Sequence, residues 1–345
     1  MKFVFRADAN SNIGQGHVMR CLSLADALEE MGNTCIFVTA KDTLLSLFEK
    51  RGRKALILRT SYNETDKEIK ELKEILSKEK ADVLIADGYF FKPDYFIGLK
   101  KAIKTVYFDD VYSYAYDVDC LINYNIYADE KKYREIYMTQ KVNVPKLILG
   151  STYAPLRIEF SDSKGVEIES IKEVMVSFGG ADPLHLALSF IKSIEKHDFT
   201  RDLHFKMVLG KMEPDLEEIK SLNIKNASIL VDINNMKEEI EKSDLVVSAA
   251  GSTQYEICAC KRPCICFSMA DNQVEGAKKF GESGAFVYVG DARDNDSFMD
   301  DLFEAIKKIK ENVNLAKEMS EKAGNIADGL GAKRIANKLI NLFGR

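Results

Sequence analysis

The sequence has no surplus of positive charge, no run of about 18 apolar residues and no C-x-x-C pair. Each absence removes a class of function. Forty-nine Lys and Arg against 54 Asp and Glu give a formal net charge of −5, so there is no basic footprint for nucleic acid or an anionic membrane surface. Without a long apolar run there is no membrane-spanning helix to propose. The N-terminal MKFVF runs directly into a strand pattern with no cleavage site, so no secretory leader is expected and a cytoplasmic protein is. Seven cysteines are present, an odd number without framework spacing. Cys258, Cys260, Cys264 and Cys266 cluster in ICACKRPCICFSM, but their spacing is C-x-C on each side of Pro263. That is not a zinc pattern. It reads as a helix end followed by a buried strand of free thiols, which suits a reducing compartment. No short repeat and no low-complexity segment interrupts the chain.

What is present is a globular composition, 46% hydrophobic and 30% charged over 345 residues, long enough for two domains of ordinary size. Apolar runs alternate with helical patterns. In the first half the strands are FVFRAD, TCIFVTA, KALILR, ADVLIADG, KTVYFDD and CLINYN, with helices beginning near Val18, Thr43, Glu64 and Pro93. Strands separated in this way predict βαβ units and a parallel sheet buried on both faces. SDSKGVEIESIK, residues 161–172, is polar and unpatterned and reads as a linker. The alternation then restarts with EVMVSFGG, FKMVLG, ASILV, LVVSAAG, CICFSM and AFVYVG, and ends in a long helical tail from about Asn312 to Leu342. The expectation is an α/β protein of two Rossmann-like domains, 1–160 and 173–345, facing each other across a cleft, with the final helix packing back on the first domain.

Open α/β sheets bind ligands beyond the carboxyl ends of their strands, and polar or glycine residues gather there. GSTQYE (residues 251–256) follows a buried strand and opens a helix. Gly251, Ser252 and Thr253 suit a diphosphate, because helix-start N–H groups and hydroxyls all donate; Glu256, a turn further on, suits two ribose hydroxyls. The plainer alternative is an ordinary helix cap. SFGGAD repeats the geometry, with Gly179 and Gly180 letting backbone approach a ligand. A third group comprises ADNQ, with Asn272 and Gln273.

The opening loop, NIGQGH, lacks both a phosphate-loop lysine and the third glycine of a dinucleotide fingerprint, since position 19 is Met19. It delivers His17 to a helix start, where the positive dipole end favours the neutral imidazole. A neutral imidazole can deprotonate water; the alternative is a histidine that caps its helix or packs on the sheet. Asp8, Asn10, Gly14 and Gly16 lie beside it and are read as substrate-side positions. Asp117-Val118-Asp119 has a D-x-D spacing and Asp109-Asp110 is a second acidic pair, but strand-end carboxylates are routine turn formers, and no metal or other cofactor is expected.

The block RADANSNIGQGHVMRCLSLA strongly resembles the start of the PseG family, UDP-sugar hydrolases of pseudaminic acid biosynthesis related to the SpsG spore-coat polysaccharide proteins. The resemblance continues in order through ADGY, FDD, YAPLR, SFGGADP, INNM, AAGSTQYE and ADNQ. The second-half motifs are shared more widely with GT-B glycosyltransferases such as MurG. The resemblance implies a GT-B fold with the active site in the interdomain cleft. It implies release of UDP from UDP-2,4-diacetamido-2,4,6-trideoxy-β-L-altropyranose by water at the anomeric carbon, with inversion. It places the general base on His17 and the sugar beside Tyr89 and Asn272. UDP falls on Gly179, Gly180, Gly251, Ser252, Thr253 and Glu256, with uracil near Ile233. ADNQ stands where AENQ is commoner, and the spore-coat branch leaves the sugar open. The UDP-sugar is then the partner, with no nucleic acid, no stable membrane insertion and a monomer favoured. Three rivals remain: a GT-B transferase with an acceptor, a non-catalytic nucleotide-sugar binder, and a metal-dependent, hydrolysing 2-epimerase that starts by removing a proton beside the anomeric carbon.

Overall fold

The computed structural model describes residues 1–9, 15–40, 45–165, 167–180, 182–233 and 235–344, the side chain of Ser46 excepted. Asn10 and Gly14 lie outside the described residues. In the first half the order is β1 (Lys2–Ala7), α1 (Gly16–Glu30), β2 (Thr34–Thr39), α2 (Leu45–Lys50), β3 (Ala55–Ile57), α3 (Thr65–Glu79), β4 (Val83–Asp87), α4 (Pro93–Leu99), β5 (Lys104–Phe108), β6 (Cys120–Asn123), α5 (Glu130–Gln140) and β7 (Lys146–Leu149). The second half continues with β8 (Glu173–Ser177), α6 (Leu186–Ser193), β9 (His204–Leu209), α7 (Leu216–Ser221), β10 (Ala227–Val231), α8 (Met236–Glu241), β11 (Leu245–Ala249), α9 (Thr253–Ala259), β12 (Cys264–Ser268), α10 (Asp271–Glu282), β13 (Phe286–Asp291), α11 (Phe298–Lys310), α12 (Val313–Ile326) and α13 (Gly331–Phe343).

The chain divides into two compact units, Met1–Ile158 with Leu330–Arg345, and Glu159–Gly329. Among the described residues the first unit holds a seven-stranded sheet in the order β3-β2-β1-β4-β5-β6-β7, and the second a six-stranded sheet in the order β10-β9-β8-β11-β12-β13. Every pairing is parallel. These are two Rossmann-like domains. Their central strands are buried on both faces, which is why FVF, VLIA and VMV read as continuous apolar runs. The first core sets Phe96, Tyr107 and Tyr116 over Leu84 and Leu121. The second gathers Phe190, Phe205 and Val176, with Phe303 stacked on Phe190 at 4.8 Å between centroids.

Three local readings change. The sequence reading has no strand at Lys146–Leu149; KLIL is a short edge strand in register with β6. The long tail is two helices. The chain is extended at Ala327, and Gly329 has φ +78°, where an added Cβ would collide with the Phe160 carbonyl. After that break α13 joins the first unit and packs on α1, with Lys333 paired to Glu30 at 3.0 Å and Arg334 donating to the Thr152 carbonyl at 3.0 Å. Finally, residues 161–172 belong to the second unit, and Ile168 and Ile171 are buried in its core. The apolar side chains in an otherwise polar stretch anchor it. Among the described residues no helix is long and apolar enough to cross a membrane.

Candidate active site

Both sheets carry a topological switch point, where crossovers leave neighbouring strands in opposite directions. In the first it lies between β1 and β4, in the second between β8 and β11. Diverging connections open a crevice at the carboxyl ends of such strand pairs. His17 and Tyr89 lie at the first of these places, and Gly179, Gly180, Gly251, Ser252, Thr253 and Gln273 at the second.

In the first unit, His17 is the second residue of α1 and Asp87 the last of β4. His17 is 7% exposed and Asp87 fully buried. Their contact is Nδ1 to Oδ1 at 2.7 Å. Burial opposes ionisation of Asp87, but the Arg20 guanidinium and then His17 outweigh it and hold the carboxyl down to about 2. An ionised carboxylate only accepts. Arg20 Nη2 also lies 3.2 Å from Nδ1, but the contact to the acceptor-only carboxylate is shorter, at 2.7 Å, so a neutral His17 carries its proton on Nδ1, donated to Asp87, and its Nε2 is the basic nitrogen. The Tyr89 ring meets the imidazole edge-on at 4.7 Å, and the Tyr89 hydroxyl donates to Asp110 Oδ2 at 3.2 Å. Tyr89 itself is 47% exposed, so one face of this cluster is open to solvent.

Asp8 is different. Its Oδ1 accepts from Thr39 Oγ1 at 2.6 Å and the Ala40 N–H at 2.8 Å, and Arg6 pairs with its Oδ2. Both oxygens are thus engaged by the protein, tying the ends of β1 and β2 together. Gly16 is exposed at the start of α1 with open space where a Cβ would stand, so within the described residues no contact demands glycine there.

In the second unit a pocket of about 310 Å³ lies between the ends of β8 and β11. Gly179, Gly180, Gly251, Ser252, Thr253 and Gln273 all line it, together with Asp182, Pro183 and Met269. Gly179 has φ +94°, which a side chain resists. Ser252 caps α9 and Thr253 opens it; the Gln254 and Tyr255 N–H groups are taken by the Gly251 and Ser252 carbonyls at 3.3 and 3.1 Å, so the Ser252 and Thr253 hydroxyls are the donors this turn offers the pocket. Gln273 is fixed by accepting the Met269 N–H at 2.9 Å. Asp182 caps the turn by accepting the Ala187 N–H at 2.7 Å. Glu256, Ile233 and Asn272 are not part of this lining. Glu256 is half-buried one turn into α9, Ile233 half-buried beyond β10, and Asn272 exposed in the first turn of α10. The pocket is large enough for the lower range of small-molecule sites, and its donors suit an anionic group.

Other candidates resolve into structural roles. Asp117 pairs with Lys100, and Asp119 pairs with Lys104 while accepting the Thr105 N–H. Asp109 accepts from Tyr133 at 2.7 Å. His185 bonds Asp215 at 2.6 Å, His197 stacks on Phe303, and His204 bonds Ser228. All seven cysteines are buried free thiols, and burial pushes those of Cys258 and Cys264 well up. Sequence reasoning missed Arg20, which grips Asp87 from α1. Its signal was the i, i+3 spacing from His17, which puts both on one helix face.

Residues 174–339 match the glycosyltransferase family 28 C-terminal domain. The chain is 29% identical over 273 residues to an uncharacterised protein of Methanocaldococcus jannaschii; the match covers 74% of this chain and 53%, about half, of that protein. It is 25% identical over 263 residues to the UDP-2,4-diacetamido-2,4,6-trideoxy-β-L-altropyranose hydrolase of Campylobacter jejuni, covering 74% of this chain and 87% of that one. It is 24% identical over 299 residues to the spore coat polysaccharide biosynthesis protein SpsG of Bacillus subtilis, covering 82% of each. Among solved structures, MurG of Acinetobacter baumannii superposes with a TM-score of 0.71 at 13% identity, covering 99% of this chain and all of that one. The fold is of the GT-B kind, and the resemblance to PseG-type and SpsG-type proteins is borne out by these homologues.

Proposed function

We propose that the protein is a UDP-sugar hydrolase of surface-glycan biosynthesis, and that its substrate is UDP-2,4-diacetamido-2,4,6-trideoxy-β-L-altropyranose or a close relative. The observation that carries this reading is the His17–Asp87 pair, an imidazole whose Nδ1 lies 2.7 Å from a buried carboxylate that stays charged at any working pH. A glycosyl diphosphate already has a good leaving group. A hydrolase must add an oriented water, a base and stabilisation of the departing charge. In this reading His17 Nε2 takes a proton from water as its oxygen bonds to the anomeric carbon. The bond from that carbon to the diphosphate oxygen breaks, and UDP leaves with the electron pair. Attack opposite the leaving group inverts the centre. Tyr89 and Asn272 are assigned to the sugar by the motif resemblance, and Asp8, Asn10, Gly14 and Gly16 to the substrate side by their place in the opening motif. The second-unit pocket takes the diphosphate, with Glu256 on the ribose and Ile233 near uracil. The names of the Campylobacter and Bacillus relatives support the reaction and the pathway class. No metal or cofactor enters the scheme.

A UDP-sugar transferase is the second reading, favoured by the family 28 domain match. The two separate in one assay. Purified protein with the diacetamido UDP-sugar, EDTA and no acceptor is expected to release UDP and free sugar stoichiometrically. UDP release only when an acceptor is added would overturn the hydrolase reading.

A further inference from the structure

We propose that Arg20 is the positioning residue of this site: one guanidinium fixes both the carboxylate that orients His17 and the carboxylate that holds Tyr89. The inference rests on reading His17 as the base. Arg20 lies one turn beyond His17 on the same face of α1, with its side chain 8% exposed. Its Nε and Nη2 donate to the two oxygens of Asp87, each at 2.5 Å. Its Nη1 donates to Asp110, at 2.8 Å to Oδ2 and 3.1 Å to Oδ1, and to the Tyr124 hydroxyl at 3.1 Å. The guanidinium plane is further confined by the rings of Phe108 and Tyr124, at 5.0 and 5.3 Å.

These bonds close a loop. Asp87 Oδ1 receives both Arg20 Nη2 and His17 Nδ1. Asp110 Oδ2 receives both Arg20 Nη1 and the Tyr89 hydroxyl. The Tyr89 ring then returns to the edge of His17. The imidazole is therefore restrained on two sides by groups that Arg20 holds, Asp110 sharing its Oδ1 with Asn125 Nδ2 at 2.9 Å. Carboxylate torsions are broad when nothing holds them, and a planar fork with five donors can hold two carboxylates at fixed angles. A lysine ammonium is a point charge that balances the same charges without imposing those angles. Charge compensation alone would therefore be satisfied by lysine; positioning would not.

The test uses the full chain labelled with nitrogen-15 histidine and compares Arg20→Lys with the wild type, without substrate. In the wild type the His17 ring, assigned by its loss in His17→Asn, is expected to show one tautomer with a slowly exchanging Nδ1 proton. A wild-type ring protonated on Nε2 would overturn the proposal outright. In Arg20→Lys, with circular dichroism unchanged, that proton is expected to exchange fast and the tautomers to mix. kcat is expected to fall roughly ten- to hundredfold with KM within a few fold, the pattern of a misaligned catalytic group. Wild-type ring signals and wild-type kcat in Arg20→Lys would reduce Arg20 to a charge balance. Should Arg20→Lys fail to fold, Asp110→Asn isolates the second branch. It is expected to keep the Nδ1 proton and lower kcat, and an unchanged kcat would remove the link to Tyr89. If the wild type hydrolyses no UDP-sugar, the hydrolase reading fails while the ring spectra still decide the positioning claim.

Discussion

Replacing His17 by Asn is expected to lower turnover by about a hundredfold or more, while UDP affinity changes by no more than a few fold. Asparagine keeps an amide N–H that can donate to Asp87, so the buried carboxylate is not left without its partner. What it lacks is Nε2, the one basic nitrogen of the cluster. General-base removal typically costs 10²–10⁴-fold, and the Tyr89–Asp110–Arg20 frame remains in place. UDP affinity is assigned to the other unit, to the loops after β8 and β11, so calorimetric titration with UDP gives nearly the wild-type constant. Unchanged turnover would remove His17 from the chemistry. Loss of UDP binding would move the nucleotide to the first unit.

Glu68→Ala is expected to give the largest loss of stability, about 3–5 kcal/mol. Glu68 is fully buried in α3 and accepts Arg6 Nε and Nη2, both at 2.8 Å, and the Tyr95 hydroxyl at 2.7 Å. Arg6 is itself fully buried in β1. Truncating Glu68 leaves that guanidinium with Asp8 alone among its charged partners. The cost is that of a buried charge losing its match, which exceeds the net worth of the pair. Urea unfolding of the first unit, followed by its tyrosine signal, gives the number, and Glu68→Gln is expected to fall between wild type and Glu68→Ala because it retains an acceptor. A Glu68→Ala protein within about 1 kcal/mol of wild type would mean that the Arg6 charge finds water or another partner. Because Asp8 hangs on the same arginine and holds the Ala40 N–H, the variant also tests whether this network sets the strand ends beside the site.

The strands of both sheets were legible because a parallel sheet covered on both faces forces unbroken apolar runs, as in VLIAD and LVVSA. The switch-point loops were legible because glycines and hydroxyls followed those runs directly. β7 was not, since a four-residue edge strand beginning with Lys146 carries little of that signal. The tail read as one helix because Gly329 and Gly331 sit inside an otherwise continuous helical pattern. Only the approach of the Phe160 and Ala154 carbonyls shows why those positions are glycine. His17 and Tyr89 were legible as site candidates, but their coupling was not. Asp87 lies 70 residues from His17, and Asp110 lies 90 from Arg20. Arginine inside RCLSLA resembles a solvated helix residue until its 8% exposure is known. Glu256, Ile233 and Asn272 were placed by motif, and the pocket lining alone does not recruit them.

The central claim is that water attacks the anomeric carbon. It is tested most directly by phosphorus and proton NMR of the wild-type protein turning over the diacetamido UDP-sugar in oxygen-18 water with EDTA. Heavy oxygen is expected on the free sugar at the anomeric position, with inverted configuration in the first-formed product and unlabelled UDP. Heavy oxygen on the β-phosphate of UDP would place bond cleavage at phosphorus and contradict it.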